Sequence, residues 1–185
     1  MLNNEKVKSK IAELEKTSKE FWNVAPEAAN FLNMLIKSSG LKNLIEVGTS
    51  NGYSAIWFAE AAKFTGGSLL GMDFYEKRIS LAKENLTHCE LIDYVTIKQG
   101  KATDVLNDID FTIDFAFIDA CKAEYIQYFQ IIDKKLRVGG IIAADNVTSH
   151  SSKVEDFMDA IQNHPNYQTQ LIDFKGGLLL AYKKS

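Results

Sequence analysis

Near residue 41 the pattern of apolar and polar positions changes period. Before it, apolar residues recur at helical spacing. A mostly polar stretch, about 5–21, carries Val7, Ile11 and Leu14 on one stripe and predicts a single amphipathic helix. A second helix is expected to begin near Pro26, because proline suits a first helical turn. It sets Ala29, Leu32, Leu35 and Ile36 on one face and ends at Gly40. From Asn43 onward, short apolar runs alternate with helical patterns. Strands are expected over 44–47, 68–72, 94–98, 113–118 and 140–144, and helices over 53–64, 76–86, around Val105, 124–136 and 153–163. Two closing strands, near 169–173 and 178–182, flank a turn at Gly176-Gly177. Repeated βα units imply a mostly parallel sheet covered on both faces, and right-handed crossovers favour a doubly wound order. With no helix between the closing strands, the last one must run antiparallel to its neighbour. The expected fold is therefore α/β: a doubly wound, mostly parallel seven-stranded sheet with an antiparallel last strand and N-terminal helices.

Composition narrows the picture without changing it. A chain of 185 residues with 46% hydrophobic and 24% charged residues suits one globular domain. The formal net charge of −3 carries no broad basic field, so neither nucleic acid nor an anionic membrane is an expected partner. Cys89 and Cys121 lie far apart and form no CxxC pair, which argues against a zinc site or a disulfide framework. The polar stretch 1–19 lacks the apolar core of a secretory signal, and no apolar run approaches the roughly 20 residues of a membrane span. A cytoplasmic setting is the expectation. No internal repeat or low-complexity segment is found.

In a doubly wound sheet, ligands bind beyond the carboxyl ends of the strands. Five such places carry unusual residues. The first strand runs into Glu46-Val47-Gly48-Thr49-Ser50-Asn51-Gly52-Tyr53-Ser54. Its glycines permit a tight turn and close approach of a ligand to the backbone, and the following helix N-terminus favours a carboxylate or phosphate. Ser50 stands where a dinucleotide GxGxxG fingerprint would have its second glycine, which disfavours NAD or FAD. Glu46 is an acid at the end of a buried strand, and such a group needs hydrogen bonds. Asp73 ends the second strand at the distance where an acid takes ribose hydroxyls; its structural alternative is a helix cap. Gly100, after the third strand, lets the backbone pass near an adenine, or is simply a loop glycine. Asp119 ends the fourth strand, and Asp145 and Asn146 the fifth. Each alone could be a turn or cap residue. Together they put two carboxylates and an amide oxygen on adjacent strand tips, a donor set suited to Mg²⁺, Mn²⁺ or Ca²⁺.

These residues resemble a family. The 46–54 segment is similar to the E-[VI]-G-T-x-x-G-Y-S turn of the caffeoyl-CoA and catechol O-methyltransferases. Asp119-Ala120-Cys121-Lys122 resembles their D-x-x-K, Asp145-Asn146 their D-N, and Gly139-Gly140 their glycines before strand five. The likeness covers about 26–182, and the fold it implies is that of class I methyltransferases. It implies that Glu46, Gly48, Thr49, Gly52, Ser54, Asp73, Gly100 and Ala102 line an S-adenosylmethionine site bordered by Asp119. It also implies that Asp119, Asp145 and Asn146 hold a divalent metal, with Lys122 beside the acceptor hydroxyl. Cys121 departs from the plant D-A-D-K at a position that is not a ligand there. The short segments 147–152 and 1–40 are where the family shapes its acceptor pocket. The domain then divides into helices 1–40, on the substrate or dimer side, and a cofactor-binding core 41–185.

The expected activity is S-adenosylmethionine-dependent transfer of a methyl group to a hydroxyl of a small aromatic, catechol-like acceptor, with metal assistance. Lys122 and Asp119 are the candidate catalytic residues. Family members often pair, so a homodimer is an expected partner state. His150 reads as a loop or capping residue and His88 and His164 as surface residues. Phe21 and Trp22 either pack over the acceptor or staple the helices to the core, the second being the expectation. Three other readings stay open. A nucleic-acid amino-methyltransferase would carry a [DNS]-P-P-[YFW] motif where Asp119-Ala120-Cys121-Lys122 stands. The others are a cofactor-binding subunit without catalysis and a nicotinamide oxidoreductase.

Overall fold

The stripe Val7, Ile11 and Leu14 is buried, as its spacing predicts, but the helix that carries it is shorter than expected. The computed structural model describes residues 4–185; the first three residues of the polar N-terminal stretch lie outside it. Instead of one helix over 5–21 there are two, α1 (Glu5–Glu15) and the single turn α2 (Ser18–Phe21). Thr17 Oγ1 and Asn23 Nδ2 both donate to the Leu14 carbonyl, at 3.1 and 3.2 Å. These side-chain donors take over a carbonyl that a continuing helix would have used. Trp22 then turns left-handed (φ 52°) and is 73% exposed, so it does not staple the helices to the core. Helix α3 (Pro26–Ser39) begins at its proline and ends at Gly40, where the Leu41 amide reaches back to the Ile36 carbonyl at 3.1 Å.

The rest alternates strand and helix: β1 (Asn43–Val47), α4 (Tyr53–Thr65), β2 (Ser68–Asp73), α5 (Glu76–His88), β3 (Val95–Gln99), α6 (Ala102–Asn107), β4 (Ile113–Ile118), α7 (Tyr125–Asp133), β5 (Leu136–Asp145), α8 (Glu155–Gln162), β6 (Tyr167–Ile172) and β7 (Leu178–Lys183). The seven strands form one sheet in the order β3-β2-β1-β4-β5-β7-β6. The first five are mutually parallel, and β7 is antiparallel to both β5 and β6. The expected α/β class and the antiparallel last strand are thus present. Among the described residues no helix is long and apolar enough to cross a membrane.

Two boundaries differ from the periodicity. The expected helix 124–136 stops at Asp133, and Leu136 opens a ten-residue β5 where 140–144 was expected. Leu136 pairs with Ile113, and the register then shifts so that Ile141 meets Phe115. The intervening Gly139 (φ 79°) allows that irregularity. Side chains alternate across the sheet. Leu44, Phe115, Phe117 and Ala143 face the core under α1, α3 and α4, while Ile45, Val47, Ala116, Ile118 and Ile142 face the core under α6, α7 and α8. His164, expected at the surface, packs edge-on between Phe129 and Tyr167, with ring centroids 5.9 and 5.2 Å away.

The chain leaves β1 for β2 and β3 on one side, then returns to β4 on the other. The connections that follow adjacent β1 and β4 lead to helices on opposite faces, α4 and α7, which is where an open α/β sheet makes its crevice.

Candidate active site

The turn after β1 is pinned to β2 and packed against β4. The Gly48 and Thr49 amides both donate to the Met72 carbonyl, at 3.0 and 3.1 Å, and the Asp119 amide donates to Val47 at 2.9 Å. Gly48 has φ 100°, and an added Cβ would collide with the Asp119 carbonyl. Gly52 (φ 84°) precedes α4, and a Cβ there would lie 3.0 Å from the Ala82 backbone of α5. The sequence predicts a tight turn and close approach of a ligand at these glycines; the structure has the turn, and neighbouring backbone fills the space at their Cα atoms. Around this turn, Glu46, Thr49, Ser50 and Asn51 carry buried polar atoms with no hydrogen-bond partner. Glu46 is fully buried, and desolvation pushes its carboxyl up to about 8. The Ser54 and Thr49 hydroxyls lie near enough to oppose that rise, while the Asp119 and Asp73 charges add to it. Uncompensated polar groups beside a glycine turn make a surface that gains from a polar ligand.

Asp73, at the tip of β2, accepts the Ser50 amide on Oδ2 and the Tyr75 amide on Oδ1, each at 2.9 Å. The carboxylate thus shapes the entry to α5, whose cap position is taken by Tyr75, and each oxygen keeps a further lone pair. Gly100 donates its amide to the Asp73 carbonyl at 3.1 Å, and Ala102 opens α6 two residues later. The β1, β2 and β3 tips therefore share one rim.

The second half of the site lies at β4 and β5. Ile118 and Ala144 are register partners, so Asp119 and Asp145 follow on adjacent parallel strand ends. Asp145 is 1% exposed; Oδ2 accepts Asn146 Nδ2 at 3.0 Å, and Oδ1 has no partner. Burial pushes its carboxyl up to about 7, with the Asp119 charge adding to the rise and the Asn146 amide and Lys122 opposing it. Asn146 is left-handed (φ 62°), and because its NH₂ serves Asp145, its amide oxygen is the end left for another partner. Lys122 donates to Asp119 Oδ1 at 2.6 Å, with both side chains largely covered. Lys122 is therefore not a freely solvated lysine. Among the described residues, no group of three His, Cys, Asp or Glu side chains gathers as a metal cluster; the candidate set here is two acids and an amide.

One residue was missed in the sequence. The buried Tyr125 hydroxyl accepts from Lys122 at 2.8 Å and faces the Asp145 and Ile118 carbonyls at 3.0 and 3.2 Å. The only sequence signal was its place three residues beyond Lys122. His150 is half-buried after Asn146, with Nδ1 3.0 Å from Ser149 Oγ, in keeping with a loop role. A surface hollow between α7 and α8, lined by Phe129, Asp133 and His164 among others, stands apart from the strand tips.

Comparison with known proteins bears on this arrangement. The family model for O-methyltransferase matches residues 4–182. The chain is 37% identical over 128 residues to a catechol O-methyltransferase of Niastella koreensis, covering 67% of this chain and 58% of that protein. It is 34% identical over 149 residues to caffeoyl-CoA O-methyltransferase 2 of Zea mays, covering 76% and 56%. The chain thus spans less than two thirds of the length of these relatives. The crystal structure of an O-methyltransferase from Bacillus cereus in complex with SAH superposes with a TM-score of 0.84 at 27% identity, covering 95% of this chain and 91% of that one. With a family match that runs through both halves of the rim, from the glycine turn to Asn146, the chain belongs to the O-methyltransferase family.

Proposed function

We propose that this protein transfers a methyl group from S-adenosylmethionine to a hydroxyl of a small, catechol-like phenol, with a divalent cation at the tips of β4 and β5. The observation that carries the reading is the unpartnered Asp145 Oδ1, buried on a strand tip next to Asp119. Two carboxylates on adjacent strand tips, with an amide oxygen beside them, are a donor set that a hard cation satisfies. Asp119, Asp145 and Asn146 would hold that cation. When bound, it would supply Lewis acidity that lowers the pKa of an adjacent phenol.

The methyl donor arrives already activated, so the chain's work is positioning and proton handling. Asp73 would orient the ribose, with the Ser50 amide holding its carboxylate in place. Glu46, Thr49 and Ser54 would receive the polar end of the donor at the glycine turn, and Gly100 and Ala102 would border its base. In its neutral amine form, Lys122 would take the acceptor's proton at Nζ, beside Asp119. The named relatives and the SAH-bound neighbour support both the donor and the phenolic class of acceptor.

A methyl-transfer assay over catechols tests the reading, run with Mg²⁺ and again with EDTA, alongside calorimetric titration with S-adenosylhomocysteine. Turnover should vanish with chelation while S-adenosylhomocysteine affinity stays within about twofold. Undiminished catechol methylation by Asp145→Ala would sink the cation's part, and absence of S-adenosylhomocysteine binding would sink the whole.

A further inference from the structure

Lys122 and Tyr125 are joined in a way that leaves no freedom of direction. An ammonium only donates, and a backbone carbonyl only accepts. Tyr125 Oη, placed between Lys122 Nζ at 2.8 Å and the Asp145 and Ile118 carbonyls at 3.0 and 3.2 Å, must therefore accept from the lysine and give its own hydrogen to the carbonyls. Nζ has a second fixed partner in Asp119 Oδ1 at 2.6 Å, and it lies 5.1 Å over the Tyr125 ring centroid. A tetrahedral nitrogen has four corners. Cε, Asp119 and Tyr125 occupy three, so one corner is left.

We propose that Tyr125 is a positioning residue that aims this fourth corner of Lys122 at the acceptor hydroxyl. The direction is fixed for the ammonium: with three hydrogens, the free corner is an N–H directed at the acceptor oxygen. Loss of that N–H proton leaves the lone pair at the same corner, with the other two hydrogens still on Asp119 and Tyr125. Without the tyrosine hydroxyl, the amine turns about Cε–Nζ and its free position is spread over several directions. The same hydroxyl meets the carbonyls of Ile118 and Asp145, the residues that end β4 and β5, so the lysine is aimed in a frame fixed to the two candidate cation-holding strand tips. The ring itself is locked by Phe157 and Tyr128, with centroids 5.6 and 6.3 Å away. The proposal rests on the reading of Lys122 as the group beside the acceptor.

Tyr125→Phe keeps the ring and its packing and removes only the hydroxyl. Tyr128→Phe is the control: it removes a hydroxyl from the same helix, one that donates to Glu124 Oε2 at 2.7 Å and does not meet Lys122. The expected result is a kcat for Tyr125→Phe reduced about ten- to a hundredfold, the size of effect that misplacement of a catalytic group produces. Acceptor KM and S-adenosylhomocysteine Kd should stay within about threefold, and Tyr128→Phe should stay within about twofold of wild type in kcat. A Tyr125→Phe enzyme with unchanged kcat, or equal losses in both variants, overturns the proposal. Crystal structures of wild type and Tyr125→Phe give a readout that needs no turnover. Nζ should bridge Asp119 and Tyr125 in the first and take more than one position in the second; a single unchanged position in the variant overturns the proposal. Should wild type methylate no catechol, the proposed function fails by that result, while the crystal comparison still decides whether Tyr125 aims the lysine.

Discussion

Asp73 Oδ2 and the Ser50 amide, 2.9 Å apart, tie the tip of β2 to the glycine turn after β1. The other oxygen of that carboxylate takes the Tyr75 amide, so both oxygens act as acceptors for backbone donors. Asp73→Asn replaces one acceptor with an NH₂ that faces a backbone N–H. The expected cost is about 1–3 kcal/mol for the unpaired donor. Calorimetry should show S-adenosylhomocysteine binding weakened about ten- to a hundredfold, because both the turn and the ribose partner are disturbed. Unchanged affinity would remove Asp73 from the proposed donor site.

Gly48 and Gly66 separate conformational strain from close packing. Both have positive φ, at 100° and 69°. A Cβ at Gly66 meets nothing within 4 Å, whereas one at Gly48 strikes the Asp119 carbonyl. Gly66→Ala should cost about 1–2 kcal/mol, the left-handed penalty alone. Gly48→Ala should cost about 3 kcal/mol or more, since backbone must also move. Urea denaturation measures both, and equal costs would contradict the close approach of the β1 and β4 loops.

Much of this arrangement could be read from the residues because it follows local rules. Glycines that need positive φ, and acids placed where apolar strands stop, announce themselves in the order of the chain. That logic located Glu46, Asp73, Asp119, Asp145 and Asn146. What it missed depends on partners distant in sequence. Beyond its spacing from Lys122, nothing in the local pattern marks Tyr125, whose hydroxyl contacts appear only once the Asp145 carbonyl, 20 residues on, is placed beside it. The break between α1 and α2 has no proline or glycine; it comes from Thr17 and Asn23 competing for the Leu14 carbonyl. The early start of β5 depends on Leu136 meeting Ile113, a pairing that periodicity within residues 136–140 does not encode.

Phe157 supports the site from below. It is fully buried on α8, edge-on to Tyr125 at 5.6 Å and to Phe129 at 6.0 Å. Phe157→Ala should lose about 3–5 kcal/mol of stability through lost burial and the cavity left behind. Chemical denaturation reads this directly. A loss below about 1 kcal/mol would mean that the site floor can collapse and that the Tyr125 ring is not held by this contact.

The buried acids make stability depend on pH with a definite sign. Burial pushes Asp145 up to about 7 and Glu46 up to about 8. In the unfolded chain, carboxyls of these types titrate near about 4. Between about pH 4 and 8 the folded chain therefore binds more protons than the unfolded one, and stability falls as pH rises through that window. Asp114 and Asp133 act in a different range. Against the opposing effect of burial, the Asn43 and Lys42 amides with Arg137, and Tyr167 with Lys183, hold them below the usual carboxylate range, so their contribution is lost only as pH falls below about 4. In EDTA, thermal melting should thus give a higher Tm at pH 5.5 than at pH 8. Asp145→Asn removes one of the two rising acids and should flatten that slope, raising stability at pH 8 by about 2 kcal/mol. Mg²⁺ should raise the wild-type Tm more at pH 8, where Asp145 is ionised, than at pH 5.5, and should do little for Asp145→Asn. A Tm that climbs steadily from pH 5.5 to 8 in EDTA, with no response to Mg²⁺ at either end, would show that Asp145 is neither strained by Asp119 nor waiting for a cation.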